Sequence, residues 1–192
     1  MRAPSRFSRG FAALRRVSLL PLAIASVATP AGAAPALDYE VKAAFLLNFT
    51  KFVEWPATAF ASPDSAMAIC VVGKDPFGNA LDETIRGEAV NGRKVTVQRL
   101  SDAPSPHACQ VVYFGMSDKD AARILNAVGP GVLTVGEGDA FVRGGGMIGF
   151  VLDSRRVRFD INQTAAESAG LKLSSRLLSV ARSVERSAGP SS

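Results

Sequence analysis

Three short apolar runs, each closed by glycine, dominate the middle of the chain: MAICVVG (67–73), QVVYFG (110–115) and GVLTVG (131–136). Runs with so little polar alternation leave no face for water, so each predicts a strand buried on both sides. Such strands belong to parallel sheets sandwiched between helices. The intervening segments agree. KDPFGNALDETI (74–85) opens on Asp75, a good N-cap, and Pro76, suited to a first helical position. KVTVQRL (94–100) alternates and predicts a half-exposed strand. SDKDAARILNAVG (117–129) runs from the capping Ser117 to Gly129 and predicts a second helix. Strand–helix–strand occurring twice implies right-handed crossovers and a mainly parallel sheet.

The C-terminal third changes style. MIGFVLDSRRVRFDIN (147–162) reads as an antiparallel hairpin turning at Asp153-Ser154. Val157, Phe159 and Ile161 share one strand face, and Arg156, Arg158 and Asp160 the other. Asn162 caps a short helix, QTAAESA, which Gly170 terminates. LSSRLLSVARSV (173–184) predicts a last helix resting on Leu177, Leu178, Val180, Ala181 and Val184. The expected fold is a single α/β domain. Its mainly parallel sheet is flanked by helices, followed by a C-terminal antiparallel hairpin and closing helices.

VKAAFLLNFTKFVEWP (41–56) concentrates four aromatics, Phe45, Phe49, Phe52 and Trp55, in a chain that is 7% aromatic. On a helical wheel Val41, Phe45, Leu46, Phe49, Phe52 and Val53 fall in one arc. Leu47, Asn48, Lys51 and Glu54 lie opposite or at its edge. This is an amphipathic helix packed on the sheet, ended by Pro56. Lys42 falls near the centre of the apolar arc. Its stem either snorkels to water or its ammonium pairs with a buried carboxylate, Asp160 or Glu167 being the candidates.

Ahead of that helix, residues 1–16 carry Arg2, Arg6, Arg9, Arg15 and Arg16 and no acid. The apolar VSLLPLAIASV and the small residues ATPAGAAP follow. This is the layout of a secretory signal over 1–34, with cleavage after Ala33 or Ala34. Without these five arginines, the 22 basic residues fall to 17, against 17 acidic ones. The mature chain is then neutral, and nucleic-acid binding loses its electrostatic footprint. The domain is expected over 35–186, soluble outside the cytoplasm and not inserted in a membrane, with 187–192 (SAGPSS) a disordered tail.

No catalytic set assembles. The chain has one histidine, His107, in a proline-bounded loop, and two cysteines that form no zinc motif. A serine nucleophile finds no elbow motif and no second base. GKDPFG departs from the phosphate-loop order and reads as helix capping, with anion binding as the weaker alternative, and GEGDAFVRGGGMIG (136–149) reads as flexible loop and turn. No cofactor, metal or catalytic residue is expected. Cys70, in the first buried run, and Cys109, just before the second, are an even pair in an exported chain. They predict a disulfide, with two buried free thiols as the alternative.

Two long segments carry a resemblance. YEVKAAFLLNFTKFVEWP with the strand leading into VVGKDPFG, and VRFDINQTAAESAGLKLSSRLLSVA, are similar to the YfiR family of exported proteins. The likeness runs over about residues 38–182. It is most specific at Lys42, Trp55, Pro56, Phe159, Asn162, Gly170, Ser174 and Ser175. It implies a periplasmic α/β domain that inhibits an inner-membrane diguanylate cyclase through the cyclase's periplasmic sensor domain. An outer-membrane lipoprotein would remove the repressor, raising cyclic di-GMP and favouring biofilm. Cys70 and Cys109 look like one family disulfide; a second pair, near 145–152, is absent. Apart from the resemblance, Arg155, Arg156 and Arg158 share a turn and an exposed strand face, and are either a solvated charged face or the candidate partner-binding residues. The competing reading is a small-ligand sensor or carrier with its pocket at the carboxyl ends of the parallel strands.

Overall fold

The structure is a computed structural model and describes residues 33–105 and 107–186. The segment expected to be a leader, apart from Ala33 and Ala34, and the expected 187–192 tail lie outside the described residues.

The first helix, α1 (Ala33–Phe52), leads into the two-residue β1 (Val53–Glu54) before Pro56. Then come β2 (Met67–Gly73), α2 (Ala80–Ile85), β3 (Ala89–Val90), β4 (Arg93–Leu100) and β5 (Val111–Gly115). They are followed by α3 (Asp118–Leu125), β6 (Leu133–Glu137), α4 (Gly138–Arg143), β7 (Ile148–Asp153) and β8 (Arg156–Asn162). The chain closes with α5 (Gln163–Ser168), β9 (Lys172–Leu173), α6 (Ser175–Val180) and β10 (Ser183–Glu185). The main sheet has the order β10-β8-β7-β6-β5-β2-β4-β3. Its central five strands, β4, β2, β5, β6 and β7, are parallel. Numbered by their own succession they lie 2-1-3-4-5, a doubly wound order that reverses between β2 and β5.

The strand period of two sorts the core. Met67, Ile69 and Val71 of β2, with Val111 and Tyr113 of β5, face α1 and α2. Ala68, Cys70, Val72, Val112 and Phe114 face the opposite layer, with Ala121 and Ile124 of α3 and Phe141 of α4. α1 is buried around most of its circumference. Leu47 is buried and Val41 exposed, the reverse of the wheel's assignment, and the open stripe is Glu40, Val41, Ala44, Asn48 and Lys51. Phe45 and Phe49 pack their rings on Phe159 of β8, at centroid distances of 5.3 and 5.1 Å.

Four local expectations change. Asp75 caps no helix: its Oδ1 accepts from Phe77 N–H at 2.7 Å, forming a turn, and α2 starts at Ala80. The glycine-rich 136–149 segment is not a loop but contains α4. Gly136 and Gly146 stand where a Cβ would lie 2.6 and 2.2 Å from the Phe141 ring, so these glycines admit that ring against the sheet. The hairpin turns at Ser154-Arg155, one residue later than predicted. The last helix stops at Val180, and 183–185 become an edge strand parallel to β8.

The two segments that carry the family resemblance meet in space. β1 pairs antiparallel with β9 through Val53↔Leu173 and Glu54↔Lys172. Ser174 N–H donates to Phe52 C=O at 3.0 Å. Trp55 Nε1 donates to Gln110 C=O at 3.2 Å, and Pro56 lies beside Gly170, whose φ is +78°. Asn162 Oδ1 caps α5 by accepting from Ala165 N–H. Ser174 Oγ caps α6, whose first residue is Ser175.

Candidate functional site

Parallel strands all end on one edge of their sheet, and where strand order reverses, neighbouring connections diverge and leave a crevice. Here the reversal separates β2 from β5. A cavity of about 600 Å³ lies at that edge, lined by Tyr39, Lys74, Asp75, Tyr113, Met116 and Glu137 among others. Tyr39 arrives from α1, Lys74 and Asp75 follow β2, Tyr113 and Met116 come from the end of β5, and Glu137 ends β6.

Its floor is a closed polar network. Lys42 Nζ donates to both carboxylate oxygens of Glu137, at 2.8 and 2.9 Å. Tyr113 Oη donates to Glu137 Oε1 at 2.6 Å. The Lys42 ammonium also lies 4.3 Å from the Tyr39 ring centroid, a cation–π position. Burial pushes the Tyr113 hydroxyl pKa up, and the neighbouring Glu137 charge raises it further, so it stays a proton donor. The snorkelling route is closed to Lys42. Its partner is Glu137, not Asp160 or Glu167. Asp160 is taken by Arg182, whose Nε donates at 2.8 Å, and Glu167 accepts from Gln163. Glu137 sits inside the stretch read as loop, in no motif. Its position just past a buried parallel strand was the available signal.

The remaining predicted residues lie elsewhere. The Cys70 and Cys109 sulfurs are bonded to each other, with Cα atoms 5.9 Å apart, and both residues are buried on the α3 face. The pair is close because β2 and β5, the first and third parallel strands, are neighbours. Arg155, Arg156 and Arg158 lie at the hairpin tip, and Leu152, which is 60% exposed, pairs with Val157 on the opposite face of the hairpin. None of the three guanidiniums has an ion-pair partner among the described residues. The hairpin turn follows the carboxyl end of β7, on the same edge of the sheet as the crevice. No group of three or more metal-ligating side chains occurs among the described residues, and no described helix is long and apolar enough to cross a membrane.

These features define a doubly wound α/β domain with a crevice at its switch point and a basic hairpin tip. Residues 39–182 match the family model described as YfiR/HmsC-like (DUF4154), and the chain belongs to that family. Among solved structures the chain is similar to a conserved domain protein from Vibrio cholerae O1 biovar El Tor strain N16961. The TM-score is 0.51 at 13% identity, over 77% of this chain and 60% of that one, a likeness of fold. A second similar structure is the ABC domain of Streptococcus pneumoniae in complex with L-Trp. It has 12% identity over 62% of this chain and 55% of that one, with a TM-score of 0.41. No curated protein matches the chain.

Proposed function

We propose that the protein is exported and inhibits an inner-membrane diguanylate cyclase by binding its periplasmic sensor domain, lowering cyclic di-GMP. Family membership over 39–182 is the observation that supports this reading. The mechanism is a coupling free energy: the repressor favours the inactive state of the sensor by binding it more tightly than the active state. Removal by an outer-membrane lipoprotein would relieve that bias. The hairpin tip is the candidate contact surface. Its three guanidiniums are unspent within the fold, so an acidic sensor face gains long-range steering and charge-assisted hydrogen bonds without first breaking internal pairs.

Gene deletion tests the role. Cyclic di-GMP should rise in the deletion strain and fall on return of the wild-type gene. Return of the Arg156→Glu/Arg158→Glu variant should leave it high, while the variant keeps its melting temperature. Unchanged cyclic di-GMP on deletion rejects the cyclase reading. The crevice favours a second reading, a periplasmic sensor or carrier of a small ligand for another membrane partner.

A further inference from the structure

The crevice spends its charges unevenly. Glu137 is paired with Lys42, and Asp75 shares Arg99 with Asp82: Arg99 Nε donates to Asp75 Oδ2 at 2.7 Å and Arg99 Nη2 to Asp82 Oδ2. Lys74 also lines the cavity, and its ammonium has no partner among the described residues. The site therefore presents one unpaired ammonium beside two carboxylates that are each already held by a cation. Those carboxylates still have acceptor capacity. An ionised carboxylate offers about four lone-pair positions. Glu137 uses three, two for Lys42 and one for Tyr113; Asp75 accepts from Phe77 N–H and Arg99. Spare acceptors beside already paired cations suit hydroxyl donors, not a second carboxylate. Pro76 and Met116 add apolar wall beside these groups.

Backbone geometry keeps Lys74 in place. Lys74 N–H donates to Gly115 C=O at 2.9 Å, tying the residue after β2 to the end of β5. The approach is so close that a Cβ on Gly115 would lie 1.9 Å from Lys74 C=O. The cation is thus anchored at the mouth by main chain, while its side chain stays available.

Resting on the reading of this crevice as a ligand site, we propose that it binds a small hydroxylated carboxylic acid of the sugar-acid class. The ligand carboxylate pairs with Lys74, its hydroxyls donate to Glu137 and Asp75, and the Tyr39 hydroxyl completes the ring of polar contacts. A cavity of about 600 Å³ accommodates a ligand of that size. Binding is non-covalent and needs no metal.

The test is an NMR titration of the full chain, expressed with its own leader, isolated after secretion and isotopically labelled. The probe is D-glucuronate. The controls are D-glucose, which lacks the carboxylate, and cyclohexanecarboxylate, which lacks the hydroxyls. Glucuronate should shift the amides of Lys74, Gly115, Met116 and Glu137, with a Kd at least about tenfold below either control. Lys74→Gln, a change at an exposed side chain, should weaken glucuronate about tenfold and leave glucose unaffected. Tyr39→Phe should weaken it about threefold to fivefold. If cyclohexanecarboxylate shifts the same amides as strongly, the crevice is a ligand site but the proposed ligand class is wrong. If no probe shifts those amides at about 10 mM, both the class and the crevice reading are overturned.

Discussion

Lys42 on the first helix and Glu137 at the end of β6 are 95 residues apart in sequence, yet the lysine ammonium bridges both oxygens of the carboxylate. The pair is unequally buried, with 7% of the Lys42 side chain exposed against 41% of the Glu137 side chain. That asymmetry sets the order of mutational costs. Removing the carboxylate strands an ammonium in apolar surroundings, whereas removing the lysine leaves a carboxylate that water can reach. Glu137→Ala is therefore expected to cost about 3–4 kcal/mol, and Lys42→Met about 1–2 kcal/mol. Urea unfolding of the two variants checks this; equal costs, or the reverse order, would show that the pair does not work as described.

The strands were legible because burial on both faces writes a short unbroken apolar run, and MAICVVG and QVVYFG could be little else. Lys42 was legible as an anomaly because an arc shared with Phe49 and Val53 leaves a lysine nowhere polar to go. Its partner was not. A single glutamate between two glycines has no periodicity, and only the strand order shows that the end of β6 faces α1. α4 was hidden for a related reason. Gly136 and Gly146, read as signs of flexibility, are small because the Phe141 ring occupies the space a side chain would need. β10 was missed because its residues extend an apparent helical pattern. Pairing with β8 and the Arg182–Asp160 contact, which form only in the folded chain, override that pattern.

Close packing at Gly146 can be tested directly. An added methyl there meets Phe141 at 2.2 Å, and the strand next to it cannot retreat without losing its ladder. Gly146→Ala is expected to cost about 2–3 kcal/mol. Gly129→Ala, where nothing lies within 4 Å of the added atom, should be neutral within about 0.5 kcal/mol. Thermal and urea unfolding of the two proteins, compared side by side, decide whether packing or backbone freedom selected glycine at 146.

The bond between Cys70 and Cys109 closes a loop of 39 residues. Chain entropy assigns such a loop about 4 kcal/mol of stabilisation, through restriction of the unfolded state. Both cysteines are buried, so reductant should reach the bond only after unfolding. Reductant alone should leave the intact mass of alkylated protein unchanged at neutral pH over short incubation. Reductant in moderate urea should open the bond and lower the unfolding midpoint. Rapid alkylation of both thiols under native conditions would contradict the burial.

Acid should expose the Asp160–Arg182 pair. Burial pushes the Asp160 carboxyl up, but hydrogen bonds from Arg182 and Ser183, with the Arg182 charge, outweigh it and hold the pKa below the usual aspartate value. A carboxyl lowered on folding adds stability that is fully present above its unfolded pKa, about 3.9, and disappears as pH falls through the folded value. Arg182→Gln should therefore be less stable than wild type at pH 7. The difference should hold down to about pH 5 and shrink below about pH 4. Urea midpoints measured across that range test the sign. A difference that widens in acid would assign the pair no such role.

The hairpin tip combines a backbone cost with a side-chain opportunity. Ser154 and Arg155 both take positive φ, 49° and 62°, as the tight turn between β7 and β8 requires. That turn favours Asn-Gly, and an arginine held there costs roughly 1 kcal/mol relative to glycine. The arginine makes no ion pair among the described residues that would offset the cost. Arg155→Gly should accordingly raise stability by about 1 kcal/mol. If the tip docks on an acidic sensor, the same substitution should slow association, with a reduced dependence of the rate on salt, so that stability and binding move in opposite directions. Stopped-flow association with the partner domain at two ionic strengths, alongside urea unfolding, measures both. A gain in stability with an unchanged association rate would leave Arg155 a solvated turn residue and move the search for the contact surface elsewhere on the domain.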